Sequence, residues 1–326
     1  MTKTEKESQS RLLIEHVQAV LPELEMVIGW TRGFDLLHTA PVFVRDGASV
    51  EKLIWSPFCA QNLTGYLAKT PAIQTTDNSK KIGICVKGCD SRSLIALVQE
   101  KFVQRDSLYI LGIPCEGVVD WRRVRRQFPL VQFRSASIAD GHLLLEGGSE
   151  SHRLELEEVL ARRCLRCAYP NPLVHDVLIG EPVTPRVTIA EAYQKVVALE
   201  QLPLAERLDF WRTELDRCLR CYACRNACPL CVCQDRCIAE TRDPKWLSQY
   251  VKVSEKFFFH FIHALHLAGR CTECGECERV CPMDIPVTLM KEKLSQIVRE
   301  LLGYEAGIDP EASPPLLTFS PEEKGI

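Results

Sequence analysis

The sequence predicts an α/β domain followed by a mainly α-helical domain. Three observations predict it. A strand, turn, helix and second strand run from Lys81 to Cys115, helical periodicity dominates after Thr188, and two matching cysteine runs lie inside that helical part. A length of 326 residues gives room for two packed domains.

Residues 1–27 hold one amphipathic helix, with Leu12, Leu13, His16, Val17 and Val20 on one side. The segment from Lys81 to Glu100 reads as an apolar strand, a turn at Gly88 with Asp90 or Ser91 as N-cap, and a helix. Leu108 to Cys115 supplies the second strand of a βαβ unit in a parallel, buried sheet. A helix opening after Gly88 beside Lys87 can receive an anion on its free N–H groups, or be an ordinary strand–helix turn; neither G-x-G-x-x-G nor a Walker pattern is present. Val131 to Leu145 reads as a hairpin turning at Asp140-Gly141, and residues 151–163 as a helix leading into Cys164-Leu-Arg-Cys167. Arg122, Arg123, Arg125 and Arg126 circle a short helical stretch, a solvated face or a contact for an anionic cofactor. Pro170, Pro172, Pro182 and Pro185 break the chain between 168 and 186. Thr188 caps a helix to about Glu200, and Pro203 opens another reaching Arg217.

The charge balance, 40 Lys+Arg against 43 Asp+Glu, gives no basic footprint for nucleic acid. No uncharged apolar run of about 18 residues is present to span a membrane, and the N-terminus lacks the apolar core of a signal peptide, so a cytoplasmic location is expected. Seventeen cysteines, an odd number, argue against a disulfide-paired secreted scaffold and for metal-holding thiols.

Cys218, Cys221, Cys224 and Cys228 before Pro229 repeat as Cys271, Cys274, Cys277 and Cys281 before Pro282. Both read C-x2-C-x2-C-x3-C-P. Three thiolates of such a loop grip one cubane, and the fourth, turned away at the proline, reaches the other. The pattern therefore assigns Cys218, Cys221, Cys224 and Cys281 to one 4Fe–4S cluster, and Cys271, Cys274, Cys277 and Cys228 to a second. A pair of zinc sites is the alternative, but tetrahedral zinc takes only four ligands, usually as two spaced pairs.

Cys228 and Cys271 lie 43 positions apart, so the connection must be mostly helical. Asp243-Pro244 reads as its start, and Trp246, Tyr250, Val253, Phe257 and Phe261 fall at helical spacing along Lys245 to Ala268. Another helix follows Pro286 and stops near Gly303. His260, His263 and His266 recur on the spacer, suited to packing or hydrogen bonding near a cluster sulfur, with metal ligation as the alternative. Cys231, Cys233 and Cys237 are surplus to both clusters, either buried thiols or replacement ligands.

Residues 210–303, with this duplicated motif, helical spacer and Gly269-Arg-Cys-Thr-Glu-Cys-Gly-Glu-Cys-Glu-Arg-Val-Cys-Pro282, resemble the helical dicluster ferredoxin domain of heterodisulfide reductase small subunits and of succinate dehydrogenase-type iron–sulfur subunits. The resemblance implies an electron wire inside a larger complex.

In the first half, Cys89, Cys115, Cys164 and Cys167 each follow a predicted element, at loops where sites assemble on α/β sheets, and together can ligate a third cluster. Cys59 and Cys85 read as core filling, or as substitutes for Cys89. Residues 50–185 resemble the beta-subunit family of deazaflavin-reducing hydrogenases and formate dehydrogenases, through Gly88-Cys89-Asp90, Gly112-Ile-Pro-Cys115 and Cys164-Leu-Arg-Cys167 leading to Asp176-Val-Leu-Ile-Gly180. That resemblance implies a flavin (FAD) and a 4Fe–4S cluster, passing electrons between an attached dehydrogenase or hydrogenase and a soluble acceptor.

The expected organisation is a helical segment (1–49), an α/β domain (50–185), connecting helices (186–217), a helical ferredoxin domain (218–303) and a Pro-rich extended tail (304–326) that can lie on a partner. No Ser-His-Asp set, catalytic carboxylate pair or nucleotide fingerprint competes, so no catalytic residue is assigned. The expected function is an iron–sulfur electron-transfer subunit of a multi-subunit oxidoreductase of formate dehydrogenase, hydrogenase or heterodisulfide reductase type. The alternatives are a flavin-binding subunit that itself reduces a soluble acceptor, and a cluster-containing redox sensor or scaffold.

Overall fold

The computed structural model describes residues 3–70, 80–148, 150–233, 237, 248 and 250–318. The chain divides into two units. Met1–Thr64, Ala72–Ser91 and Gln104–Val187 make the first, and Gly65–Pro71, Arg92–Val103 and Thr188–Ile326 make the second.

The first unit opens with α1 (Lys3–Val20), then β1 (Leu24–Arg32) antiparallel to β2 (Thr39–Val44). Segment 1–49 is thus not helical throughout; after α1 it supplies two strands of the main sheet. On α1, Leu13 and Val17 are fully buried while Leu12 is 47% exposed, because a residue next in sequence points about 100° away around the helix. β3 (Lys81–Val86) and β4 (Leu108–Gly112) add in parallel, flanking α2 (Gly88–Gln99) in sequence, as the βαβ pattern predicts. Five of the six β3 residues are buried, the signature of a sheet covered on both faces.

Asp90 is not the N-cap of α2. It lies in the first turn and accepts the Lys87 backbone N–H at 3.1 Å. After the helix α3 (Trp121–Gln127), capped by Asp120, come β5 (Phe133–Ala139) and β6 (His142–Gly147). Asp140 (φ 48°) and Gly141 (φ 73°) take the two left-handed positions that a tight hairpin needs. Of residues 151–163, expected to be helical, the first five belong instead to β7 (Glu150–Glu155), antiparallel to β6, and only Leu156–Val159 and Arg162–Arg166 make helical turns. Local propensity loses here to a ready partner: β6 offers a free edge immediately across the Gly147-Gly148 turn. Ile138, Leu143, Leu145 and Leu154 of this small sheet pack on Val118, Val124 and Val159. Arg125 belongs neither to a solvated face nor to an anion contact. It pairs with Asp35 at 2.8 Å and donates to the Val131 carbonyl. The edge strand β8 (Val177–Leu178), inside the proline-rich stretch, completes the order β2-β1-β3-β4-β8.

In the second unit, Thr188 makes a capping box with Glu191, but the helix breaks at Tyr193 into Ile189–Ala192 and Gln194–Glu200. Then follow α4 (Leu204–Asp216), α5 (Val253–Leu265) and α6 (Thr288–Leu302), the last stopped by Gly303 at φ 62°. Asp243, Pro244 and Trp246 lie outside the described residues. The aromatic residues at helical spacing do not all turn inward: Tyr250 precedes α5 and is 70% exposed, and Phe261 is 47% exposed. Lys256, Phe259, His260, His263 and Ala264 turn inward instead, because the cysteine loops lie on that side. The tail to residue 318 is not free. The Gln99 amide donates to the carbonyls of Asp309 and Ala312, and Gly307 (φ 71°) passes so close to the Arg92 carbonyl that a Cβ would stand 2.2 Å from it. Among the described residues no helix is long and apolar enough to cross a membrane.

Candidate metal centre

The two cysteine runs fold alike. In each, the residues before and after the second cysteine take left-handed backbone, Arg220 (φ 51°) and Tyr222 (φ 59°) in the first, Glu273 (φ 57°) and Gly275 (φ 67°) in the second. A short helix then carries the third cysteine, Ala223–Ala227 with Cys224 and Glu276–Arg279 with Cys277. This winding turns the thiols inward and aims backbone N–H groups at sulfur, as in Arg220 N–H to Cys218 Sγ at 3.3 Å.

Cys218, Cys221, Cys224 and Cys281 line one cavity, walled by Phe259, His260 and Met283. Burial pushes Cys224 up to about 12, and its thiol neighbours are Cys277, Cys218 and Cys281. Cys218, likewise raised by burial, faces Cys281 and Cys221. In the other group, burial holds Cys271 well above the usual thiol range among Cys228 and Cys274, and pushes Cys277 to about 11 beside Cys228. The fourth cysteine of each run therefore stands with the first three of the other.

Buried thiols that resist losing their protons need cationic charge before they become ligands, and iron supplies it. The donor set, four thiols around one pocket and four more grouped by the second run and Cys228, suits cubanes. Among the described residues no three His, Cys, Asp or Glu side chains close on a single metal ion. A cubane instead spreads its ligands over four irons.

Polar groups surround the thiols. His260 Nε2 lies 3.3 Å from Cys218 Sγ, and burial lowers the imidazole to about 4, so the ring is neutral; its Nε2–H tautomer would donate to a thiolate at Cys218. His263 is buried with neither ring nitrogen hydrogen-bonded, and His266 is exposed. Lys69 donates to the carbonyls of Asn226 and Cys228, and Ser93 meets Thr272 at 2.8 Å. These contacts come from residues far from the runs in sequence, and nothing in the motif announces them. Of the surplus cysteines, Cys231 faces Cys228 and Cys237, Cys237 is buried, and Cys233 is exposed.

In the first unit, Cys115, Cys164 and Cys167 line a cavity of about 280 Å3 with Glu116, Asp140 and Arg186. Burial pushes Cys115 up to about 12, with Cys164 and Cys167 as its thiol neighbours. Cys89, raised well above its usual range by burial and then by Asp90, counts Cys115 among its neighbours. The three loops meet because Gly88 lets the backbone at Tyr169 approach, where a Cβ would sit 2.0 Å from the Tyr169 carbonyl oxygen, and because Cys115 N–H donates to Pro170. Lys87 faces no anion site. Its ammonium is buried, 2.7 Å from Asp90, 2.9 Å from the Gln61 carbonyl and over the Trp30 ring. Cys59 and Cys85 are fully buried in the core, raised by burial to about 11 and about 12.

Residues 214–285 match the family model of the 4Fe-4S dicluster domain. The chain is similar over 90% of its length to the F420-dependent formate dehydrogenase subunit beta of Methanocaldococcus jannaschii, with 25% identity and 89% of that protein covered. The F420-dependent formate dehydrogenase 1 subunit beta of Methanococcus maripaludis is 24% identical, over 89% of this chain and 88% of its own. Among solved structures, a chain of the F420-reducing [NiFe] hydrogenase complex from Methanosarcina barkeri aligns with 62% of this chain and 81% of its own, at a TM-score of 0.41 and 13% identity.

Proposed function

We propose that this chain relays electrons inside a formate dehydrogenase-type complex, receiving them from or delivering them to a formate-oxidising partner. Similarity along nine-tenths of the chain to formate dehydrogenase beta subunits, together with the dicluster match, makes it an iron–sulfur electron-transfer subunit. The observation that carries the reading is the cavity shared by Cys218, Cys221, Cys224 and Cys281, a set no single run can supply. Bound cubanes exchange one electron each at potentials that their surroundings set.

The residues proposed to hold them are Cys218, Cys221, Cys224 and Cys281 in one set and Cys228, Cys271, Cys274 and Cys277 in the other. His260, with Nε2 at 3.3 Å from Cys218 Sγ, would donate its N–H to that sulfur as a bound thiolate. Cys89, Cys115, Cys164 and Cys167 are proposed as ligands of a third cluster, supported by the cavity that three of them line. That cavity, about 280 Å3, is at the lower edge of the roughly 300–1,000 Å3 of small-molecule pockets. It does not fit a whole flavin dinucleotide.

Iron and sulfide analysis of anaerobically purified protein tests this, with paramagnetic resonance of the reduced form. About 12 irons per chain are expected with the third cluster and about 8 without it. Colourless protein loaded with zinc would overturn the reading. The chain alone is expected not to oxidise formate.

A further inference from the structure

One cation stands among the thiols of both groups in the second unit. Lys291, in the first turn of α6, is 3% exposed, and among the described residues its Nζ has no oxygen or nitrogen partner; it hydrogen-bonds the Cys277 thiol instead. The other thiols around it are Cys228, Cys271 and Cys224. Three of these four belong to the second cysteine set and one to the first.

A bare buried ammonium is costly to keep unless negative charge faces it. A cubane with its four thiolates carries net negative charge, and reduction adds one more unit. A fixed cation therefore stabilises the reduced state more than the oxidised one, and net charge is among the factors that set cluster potentials.

Three carboxylates beside the cysteines are already engaged. Glu278, beside Cys277, accepts the Thr288 hydroxyl, Glu273, beside Cys271, accepts the Tyr193 hydroxyl at 2.8 Å, and Glu276 is held by Arg279 at 2.8 Å. Lys256, the cation facing Cys218, is bonded to the Asp216 carbonyl, and Lys69 is spent on two carbonyls. Lys291 has no such engagement.

We propose that Lys291 is the fixed cation that raises the potential of the cluster held by Cys228, Cys271, Cys274 and Cys277 relative to the cluster held by the other set. The role rests on the dicluster reading above. It makes Lys291 a tuning residue that biases which cluster holds the electron.

The test is an anaerobic potentiometric titration of the full chain, followed by paramagnetic resonance, in Lys291→Met, Lys291→Gln and Lys291→Arg. In the two neutral variants one couple should lose at least tenfold in its reduced-to-oxidised ratio at fixed potential, equal to 59 mV for one electron, and the other couple should move less. Lys291→Arg should stay within a fewfold of the wild type. A Cys221→Ser change marks the couple of the other set, and the sensitive couple should be the one it leaves untouched.

Unchanged midpoints in neutral variants with full iron would overturn the proposal, as would an arginine variant shifted as far as the methionine one. If the neutral variants lose iron that the arginine variant keeps, the need for a cation stands; loss in all three overturns it. Wild-type protein lacking about 8 irons would sink the cluster reading itself, an outcome distinct from intact clusters indifferent to residue 291.

Discussion

The two units gather cysteines in opposite ways. In the second, each run winds three thiols inward within one loop, through left-handed residues at matching positions, and only the fourth must travel to the other run. In the first, the four thiols come from three separate places, the start of α2 after β3, the loop after β4 and the turn around Arg162–Arg166, and the sheet, the contact at Gly88 and the Cys115–Pro170 hydrogen bond bring those segments together. A locally wound site depends on backbone conformations that its own residues encode. A site assembled at strand ends depends on every element behind it, so the two should respond differently to mutation.

The largest expected effects test the crossing. Cys228→Ser and Cys271→Ser should each remove about 4 irons and extinguish the same resonance, while Cys281→Ser should extinguish the one lost in Cys218→Ser. Pairing of Cys228 with Cys218 would break the comparison, since each run would then be self-sufficient. Next, Cys164→Ser should lower iron from about 12 to about 8 and leave both resonances of the second unit intact. No change in iron would remove the first unit's cysteines from the comparison.

Backbone and charge supporting the first unit come next. Asp90→Asn strands the buried Lys87 ammonium and should cost about 3–5 kcal/mol in urea unfolding, whereas Lys87→Met with Asp90→Leu should recover most of it. Gly88→Ala forces the Tyr169 backbone away and should cost about 1–3 kcal/mol while loosening iron in the first unit alone. The smallest effect belongs to His260→Leu. Loss of one N–H to sulfur hydrogen bond, about 1 kcal/mol, should lower one midpoint by roughly 40 mV without loss of iron.

Legibility in the sequence followed the range of the interactions concerned. The hairpin at Asp140-Gly141, the Thr188 cap and the stop at Gly303 all rest on contacts a few residues long, and each stands in the structure as the pattern implies, as does the βαβ unit, whose two strands are consecutive in the chain. Residues 151–155 misled because their strand exists only through pairing with β6. The spacer helix was legible only in part, because helical spacing of its aromatic residues does not say which face turns inward. The inward face in fact carries Lys256, His260 and His263, polar residues that belong inside only when thiol loops pack on them. The tail looked extended from its prolines, but it packs on Arg92 and Gln99, two hundred positions earlier in the chain.

By itself, then, the amino-acid sequence determined the chemistry: which thiols exist, how each loop of three is spaced, and which helices flank them, because these are properties of adjacent residues and their allowed backbone angles. Only the tertiary structure decided which contacts bring Cys115, Cys164 and Cys167 to one cavity, which face of the spacer helix turns inward, and that a buried lysine stands among the other thiols. Those are long-range placements. They depend on how buried surfaces of distant elements fit together, and a local pattern holds no record of that fit.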